Sequence, residues 1–521
     1  VDSVKGTISS NSKKNIIVRI KNNSSKQVNI YIGCEGGLTN NELVMSLGNS
    51  LDRLIVSDDI MLAYTYTGTN TAPSKFPDSD DGYYISELTC TGGTAEWDNE
   101  TWTMKVTSTT EKNISCTATV IDIYRDNSGA NIPIVATGMI PVTYDGKNWI
   151  KSATYKKGYD YDEQWWANAV TVSEATRENY MKANVGTPIS MSDINTMWVW
   201  IPRYEYETII ATSATEIKVN FLNGTERNRT NNYYTHPAFT FGSDELNGIW
   251  VAKFEASSDV VCIPTVGDID KGCDVTTLKV NVKPNVTSWQ GIRVSTIDLN
   301  TRAMNDSGNI YGFSENEVDT HTMKNIEWGA AVYLTQSKYG RCQNGTCTEV
   351  SQNINSNYLT GYSSTSYSTD NGKLASTTRN IYGIYDMNGG TWEYVMGVIK
   401  DGTGTGMFSG SSGYKGKIYN SGNYQDLPGR EFPEIKYYDL YDYGLTTSDI
   451  EAYSRYKTGD ATTEIKNWYD DYALFVNVQN PWFARGGTAN DSSNGTGIFS
   501  FSGASGIAVE GISFRPVLVE Q

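Results

Sequence analysis

The closing segment constrains this chain most. Pro481-Trp-Phe-Ala-Arg-Gly-Gly487 and Ser513-Phe-Arg-Pro-Val-Leu518 enclose a run built almost wholly from Thr, Ala, Asn, Asp, Ser, Gly and Ile. That run has no helical period and little bulk for a core, the pattern of a loop-borne surface carried by a rigid aromatic and glycine frame. A binding function is to be sought at this end of the chain.

The remainder reads as mostly β. From Asn15 to about Ile123, short alternating runs are separated by polar turns: Ile16–Ile20, Val28–Ile32, Leu54–Val56, Met61–Tyr66, Trp102–Val106 and Cys116–Ile123. Period-two alternation at this spacing predicts an Ig-like β-sandwich spacer over residues 1–130. Gly92–Trp97 reads as a turn whose tryptophan covers one edge of that core. Turn formers from Arg125 to Pro133 mark a boundary, beyond which residues 131–521 are aromatic-rich and irregular. Two segments there read as helix. Ser173–Met181 has Ser173 as N-cap, and Thr322–Thr335 places Met323, Ile326, Ala330 and Tyr333 on one face. The fold expected is mostly β with α+β character, in two domains.

Composition excludes several functions. The net charge of −17 and the pI near 4.7 leave no basic stripe for nucleic acid. His236 and His321 have no Cys or His neighbours, so neither a zinc set nor a Ser-His-Asp hydrolase is expected, and both read as loop or packing residues. The cysteines fall in local pairs, Cys90 with Cys116, Cys262 with Cys273 and Cys342 with Cys347, leaving Cys34 over. Three local disulfides and an oxidising compartment fit that spacing; reduced thiols in a cytosolic protein are the alternative. No apolar run is long enough to span a membrane. The start at Val1 suggests an export signal or anchor already removed, hence an extracellular protein, secreted or cell-surface anchored, touching a membrane only through that anchor.

Three motifs in order carry a resemblance. Gly383-Ile-Tyr-Asp-Met-Asn-Gly-Gly-Thr-Trp-Glu-Tyr394 resembles the glycine-to-Trp-Glu-Trp signature of the formylglycine-generating, sulfatase-modifying fold. Arg485-Gly-Gly487 with Phe514-Arg515 resembles its closing frame, although Ser513 stands where Gly usually precedes Phe-Arg. Lys324-Asn-Ile-Glu-Trp-Gly-Ala-Ala331 is similar to its upstream helix. The likeness covers roughly residues 133–521 and implies a C-type-lectin-like domain of the formylglycine-generating-enzyme type.

That fold has a catalytic and a binding branch. The oxidases use a copper-binding cysteine pair just after the Arg-Gly-Gly motif, whereas here Thr488-Ala-Asn-Asp491 follows and no cysteine occurs after Cys347. Without thiolates there is no soft-metal ligand, so neither copper nor catalysis is expected. The chain more closely resembles the variable proteins of diversity-generating retroelements, bacterial or phage-encoded, whose variable region would be about 481–518. The resemblance puts diversified positions at Ala489, Asp491, Ser500, Ser502, Ala504, Ile507, Val509 and Glu510. Alternation would turn Phe499 and Phe501 inward and Ser500 and Ser502 outward. Trp482, Tyr394 and Tyr437–Tyr441 would surround the patch with contact area. The expected partner is a protein or glycan on another cell or host surface; a phage tail-tip receptor-binding adhesin is the alternative setting. For Asp386, Gly389, Thr391 and Glu393 the resemblance implies a structural calcium site. The other reading is that Asp386 caps the turn and Glu393 pairs with an Arg or Lys.

Overall fold

A computed structural model describes residues 126–153, 157–207, 216–227, 232–263, 273–401, 406–420, 422–442, 459–465, 468–492 and 495–521, together with strand backbone between 15 and 122. Cys34 lies outside the described residues. Strand outweighs helix, 34% against 13%, so the protein is mostly β. The chain divides into two units, Val1–Arg125 with Thr154–Lys157, and Asp126–Ala153 with Gly158–Gln521.

In the first unit the alternating runs form two sheets. One has five strands in the order Asn15–Ile16, Leu54–Ile55, Val44–Ser46, Thr103–Thr109 and Gly93–Asp98. The other has four, Val28–Ile32, Met61–Gly68, Asn113–Asp122 and Tyr83–Thr91. Gly93–Asp98, expected as part of a turn, is a strand, because it pairs antiparallel with Thr103–Thr109 through a bulge after Thr94. Cys90 and Cys116 are directly opposed in antiparallel register, and Cys90 is disulfide-bonded.

The second unit is built on a seven-stranded antiparallel sheet. Its order is Trp149–Lys151, Met139–Tyr144, Asn168–Val172, Ile194–Pro202, Gly248–Ala252, Pro516–Glu520 and Val318–Thr322. Ile194–Pro202 is a nearly continuous apolar run because almost every residue on both of its faces is buried. Trp200 and Trp250 stand opposite each other in register, ring centroids 5.2 Å apart. Disulfides Cys262–Cys273 and Cys342–Cys347 close two local loops.

Helices follow the expectation in part. Glu174–Lys182 forms with Ser173 at its N-cap, but the Ser173 hydroxyl bonds the Thr176 hydroxyl instead of a backbone N–H. The second helix is Asn325–Thr335, since Val318–Thr322 joins the sheet first. It is buried all round, with Ile326 its one half-exposed residue, so it has no single apolar face and Met323 precedes it. A third helix, Val294–Arg302, was not expected because its buried face carries Ser295, Thr296, Asp298, Asn300 and Thr301.

Both histidines are buried. His236 caps the short turn Pro237–Phe239, its Nδ1 accepting from the Ala238 N–H at 3.2 Å. His321 is more than a packing residue. It lies between Asp319 (3.2 Å) and Glu327 (3.0 Å), and although burial disfavours its charge, those carboxylates raise its pKa to about 9.

Gly329 sits inside Asn325–Thr335, where alanine ordinarily stabilises a helix by up to about 1 kcal/mol. Here an added Cβ would overlap the Gly459 carbonyl oxygen. Gly329→Ala is therefore expected to destabilise the protein by about 1–3 kcal/mol, measured as a lower denaturant midpoint.

Candidate functional site

The sequence motifs meet on one strand. Trp392–Ile399 is the centre of a second, smaller sheet and pairs antiparallel with Trp482–Gly486 and parallel with both Asp439–Tyr441 and Ile512–Phe514. Glu393 is the register partner of Arg485 on one side and of Ser513 on the other. Gly497–Ala504 adds beyond Trp482–Gly486, with a break in register after Arg485. From the helix Asn325–Thr335, the Trp328 indole donates to the Ile498 carbonyl at 2.8 Å and its ring lies 5.5 Å from the Arg485 guanidinium.

Charge within this assembly is concentrated on Arg515. Its Nη2 and Nε donate to the two oxygens of Glu393 at 2.6 and 3.0 Å, and both residues are buried. Its remaining donors reach the Ala252 and Tyr385 carbonyls. Asp386 caps its surroundings, accepting from the Gly361 N–H at 2.8 Å and from Asn353 Nδ2 at 2.9 Å. Glu255 accepts from the Thr391 N–H at 2.8 Å and from the Ser288 hydroxyl. Gly390, at φ 78°, leaves room for it: a Cβ there would come 2.7 Å from Glu255 Oε1. Burial raises the pKa of all three carboxyls, partly offset at Asp386 and Glu393 by Arg515, and raised further at Glu255 by the other two.

This arrangement is a capped turn and a buried ion pair. Of the residues expected to hold calcium, Asp386, Gly389, Thr391 and Glu393, the last has each of its oxygens bonded to the Arg515 guanidinium. Among the described residues no group of three or more His, Cys, Asp or Glu is arranged to hold a metal.

The closing run is held from outside itself. Gln352 Nε2 donates to the Thr488 and Asp491 carbonyls at 2.9 and 3.1 Å. The Ala489 N–H donates to the Gly390 carbonyl, and the Tyr394 hydroxyl to the Ile507 carbonyl at 2.9 Å. Gln290 Oε1 accepts from the Gly511 N–H at 2.7 Å, while the Gly511 carbonyl accepts from the Trp392 N–H. Gln352 and Gln290 are frame residues the sequence reading missed. They lie more than a hundred positions upstream in unpatterned stretches and carried no signal.

The nine residues proposed for the surface divide accordingly. Ile507 and Glu510 are exposed, and Ser502, Ala504 and Val509 are half-exposed. Asp491 is half-exposed, but its Oδ2 accepts from the Thr488 N–H at 2.8 Å and builds the turn. Ala489 is buried against the Gly390 backbone. Two further expectations are overturned. Ser500 is fully buried, not outward, because the register break after Arg485 ends simple alternation along Gly497–Ala504. Trp482 has no exposed surface; it stacks with Tyr414 and Phe432, and its indole donates to the Ser409 carbonyl. Tyr394, Tyr437 and Tyr441 are buried too, so these aromatics form core and not rim.

Other side chains supply the exposed apolar area. Tyr472 and Leu474 are 42% and 43% exposed, and the segment between them bridges to Phe501. Tyr472 meets the half-exposed Trp392 ring at 6.4 Å, and Trp392 is register partner to half-exposed Ile512. Asn490 is exposed, its Nδ2 donating to the Tyr358 hydroxyl at 3.1 Å.

No protein-family model matches this chain, and no curated protein matches it.

Removing the guanidinium isolates Glu393 beside Asp386 and Glu255. Arg515→Met should cost about 3–5 kcal/mol of stability. These carboxyls have raised folded-state pKa values, so protonation relieves them. The loss should therefore be larger at about pH 8 than at about pH 5, a sign that paired urea titrations would check.

Proposed function

We propose that this chain is an extracellular binding protein of the adhesin or receptor type. It would comprise an Ig-like spacer and a C-type-lectin-like domain of the formylglycine-generating type, displaying a diversified surface without catalysis. The observation that carries this reading is a division of labour in the closing segment. Its backbone is held by Gln352, Gln290, Gly390 and Tyr394, while Ser502, Ala504, Ile507, Val509 and Glu510 keep solvent-facing surface. Side chains at such positions can change without loss of the bonds that hold the loop, which is what a diversified site requires.

Two further points support the reading. Cys342 and Cys347 are joined to each other, and no cysteine follows them, so the thiolate pair that oxidase chemistry needs has no source in the closing segment. Paired cysteines also suit an oxidising, extracellular setting. Among the described residues no helix is long and apolar enough to cross a membrane. The ligand is proposed to be a protein or glycan on another cell or host surface. Ile507, Tyr472, Leu474 and half-exposed Trp392 would supply apolar contact, and Asn490, Ser502 and Glu510 polar contact.

The adjoining DNA tests the diversification. A reverse transcriptase gene and a near-repeat of the 480–518 coding region, with adenines at the differing positions, are expected; their absence, with no variation among related copies of the gene, would sink it. A second test acts on the protein. Joint substitution of Asn490, Ser502, Ile507 and Glu510 by alanine should abolish binding on glycan and surface-protein arrays. Each single change should shift stability by no more than about 0.5 kcal/mol.

A further inference from the structure

We infer that Glu349 and Asp471 share one proton, and that this proton fastens the start of strand Gly497–Ala504, so that its loss in alkali releases the strand. Asp471 follows the short turn Trp468–Asp470, and Glu349 lies just past the Cys342–Cys347 loop. Their carboxyl groups are in hydrogen-bond contact inside the protein. One Asp471 oxygen, Oδ2, accepts from the Phe499 N–H at 3.0 Å. The other, Oδ1, is buried and, among the described residues, is reached by no N–H or O–H donor. Two ionised carboxylates in such a contact repel, whereas a proton on one of them turns the contact into a short hydrogen bond.

The surrounding groups do not remove the need for that proton. Arg341 is nearest to Glu349, but its guanidinium donates to the main-chain carbonyls of Thr348, Leu374, Ser376 and Glu349. The Arg485 guanidinium favours the charged form of Asp471, but less than burial and Glu349 oppose it; its Nη2 is bonded to the Ala461 carbonyl, and its Nε and Nη1 meet no acceptor among the described residues. The Tyr469 hydroxyl is engaged with Gln336, and Asn388 Nδ2 stands 3.5 Å from Glu349 Oε1. Burial raises both carboxyls, and the proximity of Glu349 raises Asp471 further.

The strand depends on this contact because Asp471 packs on bare backbone. Gly497 has φ 137°, and a Cβ there would overlap the Asp471 carboxyl. Gly497 and Phe501 flank the register break after Arg485, and Phe499 lies within it, where ladder pairing is interrupted. A carboxyl pair whose folded-state pKa is raised holds more protons folded than unfolded. Its contribution is complete in acid and is lost as pH rises through the raised value. Release of the strand needs no ligand; only its consequence for recognition, through Ser502 and Ala504, rests on the binding reading.

Hydrogen exchange of peptides covering 497–504 in the full chain tests this between about pH 6 and about pH 9, after correction for base-catalysed exchange. In the unaltered protein, protection should fall at least about tenfold across the range, beyond any change in the large sheet. In Glu349→Gln, whose amide supplies a permanent hydrogen to the Asp471 carboxylate, protection should stay level. Asp471→Asn, which keeps an acceptor for Phe499 and donates to Glu349, should behave alike and serves if the first variant fails to fold. Level protection in the unaltered protein overturns the inference, as does an equal fall in either variant. Absence of any array binding by the unaltered protein at about pH 6, with protection behaving as expected, would count against the binding reading alone.

Discussion

Much of the second unit hangs on one buried guanidinium. Arg515 lies between the last strand of the small sheet, Ile512–Phe514, and the last strand of the large one, Pro516–Glu520. It bonds Glu393 in the small sheet, the Ala252 carbonyl in the large sheet and the Tyr385 carbonyl in the turn before Asp386. A planar fork with five donors can serve three segments at once, which a lysine could not. Because the pair is dry, it persists only while all partners are in place, and that makes the crossover between the sheets specific.

With the crossover held, the closing run needs no core of its own. It is fastened by amide and hydroxyl groups from Gln352, Gln290 and Tyr394, acting on its backbone. Backbone bonds are indifferent to the side chains they pass. A surface held in this way can therefore vary in composition at small cost, whereas the residues beneath it cannot. Asp471 beneath Phe499 is the exception in kind, since it fastens a strand through a titratable group.

The frame was legible in the sequence wherever a residue's role was local. Asp386 at its turn, Glu393 on its strand and the cysteine pairs at short separation could be read because spacing alone limits what they meet. Glu393 carried a calcium or a basic-partner reading, and its partner Arg515, 122 positions away, is met only in the folded chain. The helix Val294–Arg302 was hidden because its buried face is polar, so no apolar period announced it. Ser500 and Trp482 were misplaced because a register break and a stack of rings act across distant segments.

By itself, then, the sequence determined the mostly β character and the local pairing of Cys262 with Cys273 and of Cys342 with Cys347. Period and spacing are local properties, and hydrophobic burial enforces them whatever the partner. Only the tertiary structure decided which small residues of the closing run face water, which acids are neutralised and by whom, and that Gln290 and Gln352 do the holding. Exposure and electrostatic pairing depend on segments that meet only after the chain has crossed between its two sheets.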